Sequence, residues 1–248
     1  MSSFNGQAGP LIVADGLVGC WDASARRSLP VDSIGTDEAW VDISKLNNNG
    51  TIENSPILKT SSPNVRYVDF NGTDEKVEIP DNDVFSPTVS GAITVCCWAN
   101  TPTGAAAVGT GGSGGAGAWF VAKAATSNFE WGFKNDLNTK LFFACWIASG
   151  TTAVYETGYT QAMNDGLWHF YCMVLIPATG MYGYLDGELI ASDTSSSGSM
   201  SNTSSAVEFA SRTGSYSDVN IGLVHIYNRD LSLTEIKSNY NSTKARFR

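Results

Sequence analysis

The chain has 248 residues, and 24 Asp and Glu against 15 Lys and Arg leave a formal charge of −9 and a sequence pI of about 4.6; that balance disfavours a nucleic-acid binder, which needs a basic face. With 42% hydrophobic and 11% aromatic residues and only 16% charged, there is enough apolar mass to exclude disorder over most of the length. No linker-like break divides the chain, and an all-β sandwich commonly reaches this size as one domain.

Residues 1–15 form a polar leader that lacks a cationic start followed by an apolar run of signal-peptide length, and no later stretch approaches a membrane span. The reading is a protein folded in a cytoplasm, with no membrane partner. Short runs rich in β-branched and aromatic residues follow at 65–70, 76–79, 92–98, 119–123, 129–133, 141–147, 167–176, 181–185 and 219–227. Many strands at regular spacing predict a sandwich or barrel. The runs at 141–147 and 168–174 are apolar on both faces, which suits central strands of stacked sheets. Asp186-Gly187 lies between two strand-like runs and predicts a type I′ hairpin, whose central residues both need positive φ.

Stretches 103–118, rich in glycine, and 193–206, rich in serine, carry too little apolar surface to offset their ordering entropy and read as loops. The first lacks the Gly-Lys-Ser/Thr ending of a phosphate loop. Ser232-Leu233-Thr234-Glu235 reads as a capping box opening a helix, with Ile236 and Tyr240 at helical spacing, expected to cover a sheet edge. Cys20, Cys96, Cys97, Cys145 and Cys172 are odd in number and sit mostly in apolar runs, so they read as buried reduced thiols.

Several blocks carry a resemblance: Gly16-Leu17-Val18-Gly19-Cys20-Trp21-Asp22, Trp40-Val41-Asp42-Ile43-Ser44 with Asn47-Asn48-Asn49-Gly50-Thr51, Val68-Asp69-Phe70-Asn71-Gly72-Thr73, and Ile93 to Trp98. Asp165-Gly166-Leu167-Trp168-His169, Tyr184-Leu185-Asp186-Gly187-Glu188-Leu189 and Ile221 to Ser232 continue the series. In this order they resemble the laminin-G-like, concanavalin A-like jelly-roll domains. The resemblance implies an all-β, two-sheet antiparallel jelly-roll sandwich over 16–240 with a short C-terminal helix, followed by a basic tail, 241–248. The opening 16–24 and the close 239–247 are similar to the version of this domain in virion proteins of tailed bacteriophages. That similarity implies a virion protein assembled in the host cytoplasm, a capsid decoration protein whose partners are the major capsid protein or another virion protein. The alternative it carries is a carbohydrate-binding adhesin or tail-fibre module recognising host glycans; self-association is left open.

The residues do not point to catalysis. Retaining glycosidases need two carboxylates about 5–5.5 Å apart, and the Glu-x-Asp-x-x-Glu strand motif of the superfamily's hydrolases is absent; Asp74, Glu75 and Glu78, like Asp186 and Glu188, read as solvated turn carboxylates. His169 and His225 lie in strand-like runs, and no Gly-x-Ser-x-Gly elbow is present. Calcium remains a candidate ligand because hard oxygen donors leave no compact motif, and Asp81 and Asp83 with Asn82 between them, in the loop after Ile79, or Asp15 and Asp69, are the residues to supply it. Tyr155, Tyr159, Tyr182, Tyr184 and Trp131 are candidate sugar-stacking rings. From Arg229 onward, Arg229, Lys237, Lys244, Arg246 and Arg248 outnumber Asp230 and Glu235, and Lys244, Arg246 and Arg248 are the candidate contacts to an acidic neighbour.

Overall fold

A computed structural model describes residues 12–62, 65–103, 117–125, 128–136, 140–146, 152–156, 164–194, 200 and 202–248. In chain order the strands are β1 (Leu17–Asp22), β2 (Glu38–Trp40), β3 (Gly50–Glu53), β4 (Ile57–Ser62), β5 (Val65–Asn71) and β6 (Lys76–Ile79). After a 3₁₀ turn (Asp83–Phe85) and the single turn α1 (Pro87–Ser90) come β7 (Ile93–Asn100), β8 (Gly117–Ala125), β9 (Asn128–Asp136), β10 (Lys140–Trp146) and β11 (Thr152–Glu156). The last third holds β12 (Trp168–Ile176), β13 (Gly180–Leu185), β14 (Glu188–Asp193), β15 (Val207–Phe209), β16 (Ser211–Arg212), β17 (Ser215–Tyr216), β18 (Asp218–Tyr227) and the helix α2 (Leu233–Phe247).

These strands build two large antiparallel sheets and the two-stranded β16–β17 hairpin. The first runs β14-β13-β12-β7-β18-β5-β4, with β1 also on β18; the second runs β11-β10-β9-β8-β15-β6-β3-β2. Their inner faces meet in one core that includes Val68, Phe70, Val95 and Met173 from the first sheet and Ile52, Val77, Trp131 and Phe143 from the second. Tyr171 and Phe120 stack across the interface with centroids 4.5 Å apart. Gly183 sets how closely the sheets approach: a Cβ there would lie 2.3 Å from the Phe143 ring, so any other residue would push them apart.

The expected hairpin is present. Leu185 pairs with Glu188, and Asp186 and Gly187 take φ of 53° and 84°, the double left-handed turn that matches strand twist. The five cysteines are all buried and free.

Helix α2 opens on the predicted capping box, with Ser232 Oγ accepting from Glu235 N and the Glu235 carboxylate accepting from Ser232 N at 2.8 Å. It covers the outer face of the first sheet and not a sheet edge. The reason is its apolar stripe: Ile236, Tyr240 and Phe247 pack on Trp98, Phe170, Tyr184 and Leu223, with Trp98 and Phe247 stacked at 4.6 Å. On the same stripe, Thr243 Oγ1 accepts from Trp98 Nε1 at 2.7 Å. Residues 241–247 therefore continue the helix and are not a separate tail, and the boundary expected at 240 is corrected. The leader boundary moves too, since Val13 N donates to Asn239 Oδ1 at 2.8 Å and its carbonyl accepts from Tyr227 Oη at 3.1 Å.

Candidate functional site

The candidate site lies between the β2–β3 connection and the segment after β6. Asp42, 2% exposed, organises the first of these. Its Oδ1 accepts from Cys20 N and Ser44 N, both at 2.8 Å, and its Oδ2 from Ser44 Oγ at 2.7 Å and Asn48 N at 2.9 Å. A buried carboxylate costs stability unless its lone pairs are filled; four donors fill them here. The chain must then reverse sharply, and Asn47, at φ 56°, takes the left-handed conformation that asparagine tolerates better than most residues.

The neighbouring asparagines link this loop to the rest of the domain. Asn48 Nδ2 donates to the Val18 carbonyl at 2.8 Å, Asn49 Oδ1 accepts from Asp42 N at 2.9 Å, and Asn82 Nδ2 donates to Asn48 Oδ1 at 2.9 Å. Asn82 Oδ1 also accepts from Val84 N at 3.2 Å, capping the 3₁₀ turn. Between the two segments lies a cavity of about 250 Å³ lined by Asn47, Asn48, Asn49, Pro80, Asp81 and Asn82. Its wall holds amides, a group that both donates and accepts, and those of Asn48, Asn49 and Asn82 are fixed by hydrogen bonds to backbone. Leu46, next in the chain, is 46% exposed.

Behind Asp81 sits a buried charge network. Lys123, fully buried, places Nζ 2.9 Å from Asp81 Oδ1 and 2.7 Å from Glu130 Oε2, and donates to the Thr203 carbonyl at 2.5 Å. Thr203 N and Oγ1 each donate to the same Glu130 oxygen at 3.1 Å. The ammonium thus stands where a calcium ion would gather carboxylate and carbonyl oxygens. This corrects the calcium assignment of Asp81: its carboxylate already faces a cation. Asp83 lies 3.5 Å from Asn202 Nδ2, and no group of three His, Cys, Asp or Glu suited to a metal occurs among the described residues.

None of the predicted sugar-stacking rings is among the described residues that line the cavity. Trp131 is fully buried in the central core and donates from Nε1 to the Phe85 carbonyl at 2.8 Å; it has no face to offer, and that assignment is corrected. Tyr184, 8% exposed, and the partly buried Tyr182 belong to the cluster around α2, so Tyr184 is structural as well. Tyr155 lies on β11 opposite Phe143 in register, and Tyr159 is outside the described residues.

The basic residues of the C-terminus are also accounted for. Arg246 makes a bidentate pair with Asp22, at 2.8 and 2.9 Å. Arg248 Nη2 lies 2.5 Å from Asp186 Oδ2, whose carboxylate also contacts His169 Nδ1 at 2.8 Å. These contacts dock α2 onto its own domain, which corrects Arg246 and Arg248 as contacts to a neighbour; Lys244 is exposed, with Nζ 5.3 Å from the Tyr240 centroid. The two histidines are structural. Burial opposes protonation of His169, but hydrogen bonds and charge from Asp186 and Asp165 outweigh it and raise its pKa; burial lowers that of His225 to about 4.

The cavity was not predicted. Asn47, Asn48 and Asn49 stand out in the sequence only as a block of the resemblance, and Asn82 only with the candidate calcium donors Asp81 and Asp83. An Asn run two residues after Asp42-Ile43-Ser44 is the local signal that marks a turn there.

Residues 71–237 match the family model of the concanavalin A-like lectin/glucanases superfamily. Among solved structures, the binding domain of Paraclostridial Mosquitocidal Protein 1 superposes with a TM-score of 0.68 at 14% identity, over 92% of this chain and 52% of that one. Botulinum neurotoxin type C, which interacts with two ganglioside molecules, gives 0.67 at 14% over 93% and 52%. The binding domain of botulinum neurotoxin DC in complex with SialylT gives 0.66 at 13% over 93% and 52%. The chain spans about half the length of these structures, and at such identity the likeness is one of fold. No curated protein matches the sequence significantly.

Proposed function

The chain belongs to the concanavalin A-like lectin/glucanase superfamily, and on that premise we propose that it is a non-enzymatic glycan-binding domain that takes its ligand at the Asn-lined cavity. The observation that carries this reading is the cavity wall itself: four asparagines and one aspartate line about 250 Å³, and the loop that holds three of them is fixed by the buried Asp42. A sugar is a ring of hydroxyls, each both donor and acceptor, and preorganised amides match it without a reorganisation cost on binding. The volume falls below the roughly 300–1,000 Å³ of drug-sized pockets, a size for a terminal sugar residue.

Hydrolysis would need a second carboxylate across the bond from the first. Among the described residues lining the cavity, Asp81 is the one carboxylate, and Lys123 holds it. Glycan recognition also ranks above capsid docking, because Arg246 and Arg248, two of the three residues suggested for a virion contact, are engaged within the domain.

A glycan array probed with the full chain tests the proposal, followed by titration of Asn47→Gly, which removes one cavity amide while suiting the positive φ. Loss of one hydrogen bond predicts binding weaker by about 3- to 10-fold, with Tyr182→Ala unchanged. Binding to no glycan, or binding indifferent to Asn47→Gly, would sink it.

A further inference from the structure

Away from the cavity, the outer face of the second sheet carries a small aromatic cluster of Trp119 and Phe129 with Ala122 and Ala144. Arg212 reaches onto it from the β16–β17 hairpin. The turn of that hairpin, Thr213-Gly214, has φ of 49° and 81°, and Thr213 N donates to Glu208 Oε2 at 2.7 Å. The guanidinium carbon of Arg212 lies 5.3 Å from the Trp119 centroid and 5.0 Å from that of Phe129, two rings inclined at 54° to each other. The side chain is held in the corner between them, its plane set by ring contact.

What the guanidinium lacks is an acceptor. Its Nε is buried with no hydrogen-bond partner, and among the described residues Arg212 makes no hydrogen bond or ion pair. Its nearest counter-charge, Glu208, is already engaged: Oε1 with Lys76 Nζ at 3.0 Å and Oε2 with the Thr213 amide. A second cation, Lys134 Nζ, stands 5.4 Å from the same Trp119 centroid. A partly buried arginine with five donors and no acceptor is costly unless an anion completes it. A planar carboxylate completes it best, because two parallel N–H···O bonds match the guanidinium fork.

We infer that Arg212, framed by Trp119 and Phe129, is the anchor of a second subsite that binds the carboxylate of an acidic sugar, of the uronic or sialic acid class. The terminal nitrogens meet the carboxylate, since Nε is enclosed, and the two rings, each 4% exposed, form the buried support that holds the guanidinium plane in place. The inference rests on the glycan-binding reading for the class of ligand and on Arg212 for the site.

The test is an NMR titration of the full chain, with ¹⁵N in arginine side chains, indoles and asparagine amides, using sodium glucuronate and, separately, glucose at matched ionic strength. Glucuronate is expected to shift the Arg212 Nε–H and Trp119 indole N–H signals saturably, and glucose is not. Arg212→Gln should abolish the Trp119 shift, and Arg212→Lys, which keeps the charge and loses the fork, should weaken it about tenfold. Thermal midpoints of both variants near the wild-type value certify folding, and the Lys variant alone suffices should the Gln variant fail to fold. Silence at Arg212 and Trp119 with glucuronate, or a Trp119 shift that survives Arg212→Gln, overturns the inference. Shifts confined to the Asn47 and Asn82 amides would overturn it while leaving the cavity reading in place, and silence at both sites with both sugars would end the two together.

Discussion

Asp42→Asn changes one atom and almost no volume, so its cost isolates the hydrogen bonding that shapes the cavity loop. Asp42 is 2% exposed and accepts from three backbone amides and one hydroxyl. In the variant, the amide oxygen can keep Cys20 N and Ser44 N, now as neutral bonds, at a loss of about 1 kcal/mol each. The amide nitrogen then faces Asn48 N, donor against donor, and strands that buried N–H at a further 1–3 kcal/mol or so. Ser44 Oγ can turn and accept, so it adds little. The sum, about 3–5 kcal/mol, is a large part of the roughly 5–15 kcal/mol that holds a domain together. Guanidinium denaturation should show a lower midpoint at unchanged m, and Tm should fall by about 6–20 °C. A loss below about 1 kcal/mol would mean that the four bonds do not order the loop, and the rigidity argument would fail with it.

Acid should act mainly through His225, whose folded pKa of about 4 lies below its ordinary 6.5 because burial disfavours the charged ring. The unfolded chain then binds the proton first, so stability is complete above pH 6.5 and roughly 3 kcal/mol is lost by pH 4; denaturation midpoints at pH 7, 5.5 and 4.5 should show this slope, flattened in His225→Gln. His169 acts with the opposite sign: its folded pKa is raised, so the stability it contributes is complete below pH 6.5 and disappears as pH climbs through the folded value, an upper-limb loss that His169→Gln should remove. Arg246→Ala should cost about 1.5–3 kcal/mol, since the nearly buried Asp22 carboxylate would keep the Ser24 amide at 2.9 Å and lose its bidentate partner. Hydrogen exchange should then quicken in the last two turns of α2 while the sheet amides stay protected.

All nine predicted strands are present, because each carries enough apolar residues to register against turn residues on either side. Those not predicted are mostly short or polar: Glu38–Trp40, Gly50–Glu53 and Val207–Phe209 span too few residues for a period of two to show. The failure at Trp131 has a sharper cause. Along β9, Phe129 pairs with Ala124 and Trp131 with Lys123, leaving Glu130 as the extra residue of a bulge. Strict alternation would put Phe129 and Trp131 on one face, but the bulge rotates the strand between them. Phe129 turns out toward Arg212, and Trp131 turns into the core. The cavity was illegible for another reason: its two walls are about thirty residues apart in the chain and meet through the pairing of β3 with β6 and the Asn82–Asn48 hydrogen bond.

The same bulge connects the two candidate surfaces. As the extra residue, Glu130 is freed from the pleat and meets Lys123 inside the domain, and Lys123 in turn fixes Asp81 at the cavity wall. One register shift therefore sets the carboxylate of the cavity and the ring that supports Arg212. The first sheet cannot compete for ligand over its central strands, because α2 seals them with Trp98, Phe170 and Tyr184 beneath it. On the proposed reading, ligand recognition falls to the loop end and to the outer face of the second sheet. The two are chemically distinct, amides at one and a guanidinium between rings at the other, so a neutral sugar and an acidic one would be sorted by different parts of a single glycan. A domain of net charge −9 gains no long-range attraction for an acidic glycan, and whatever selectivity it has must come from the short-range geometry of Arg212.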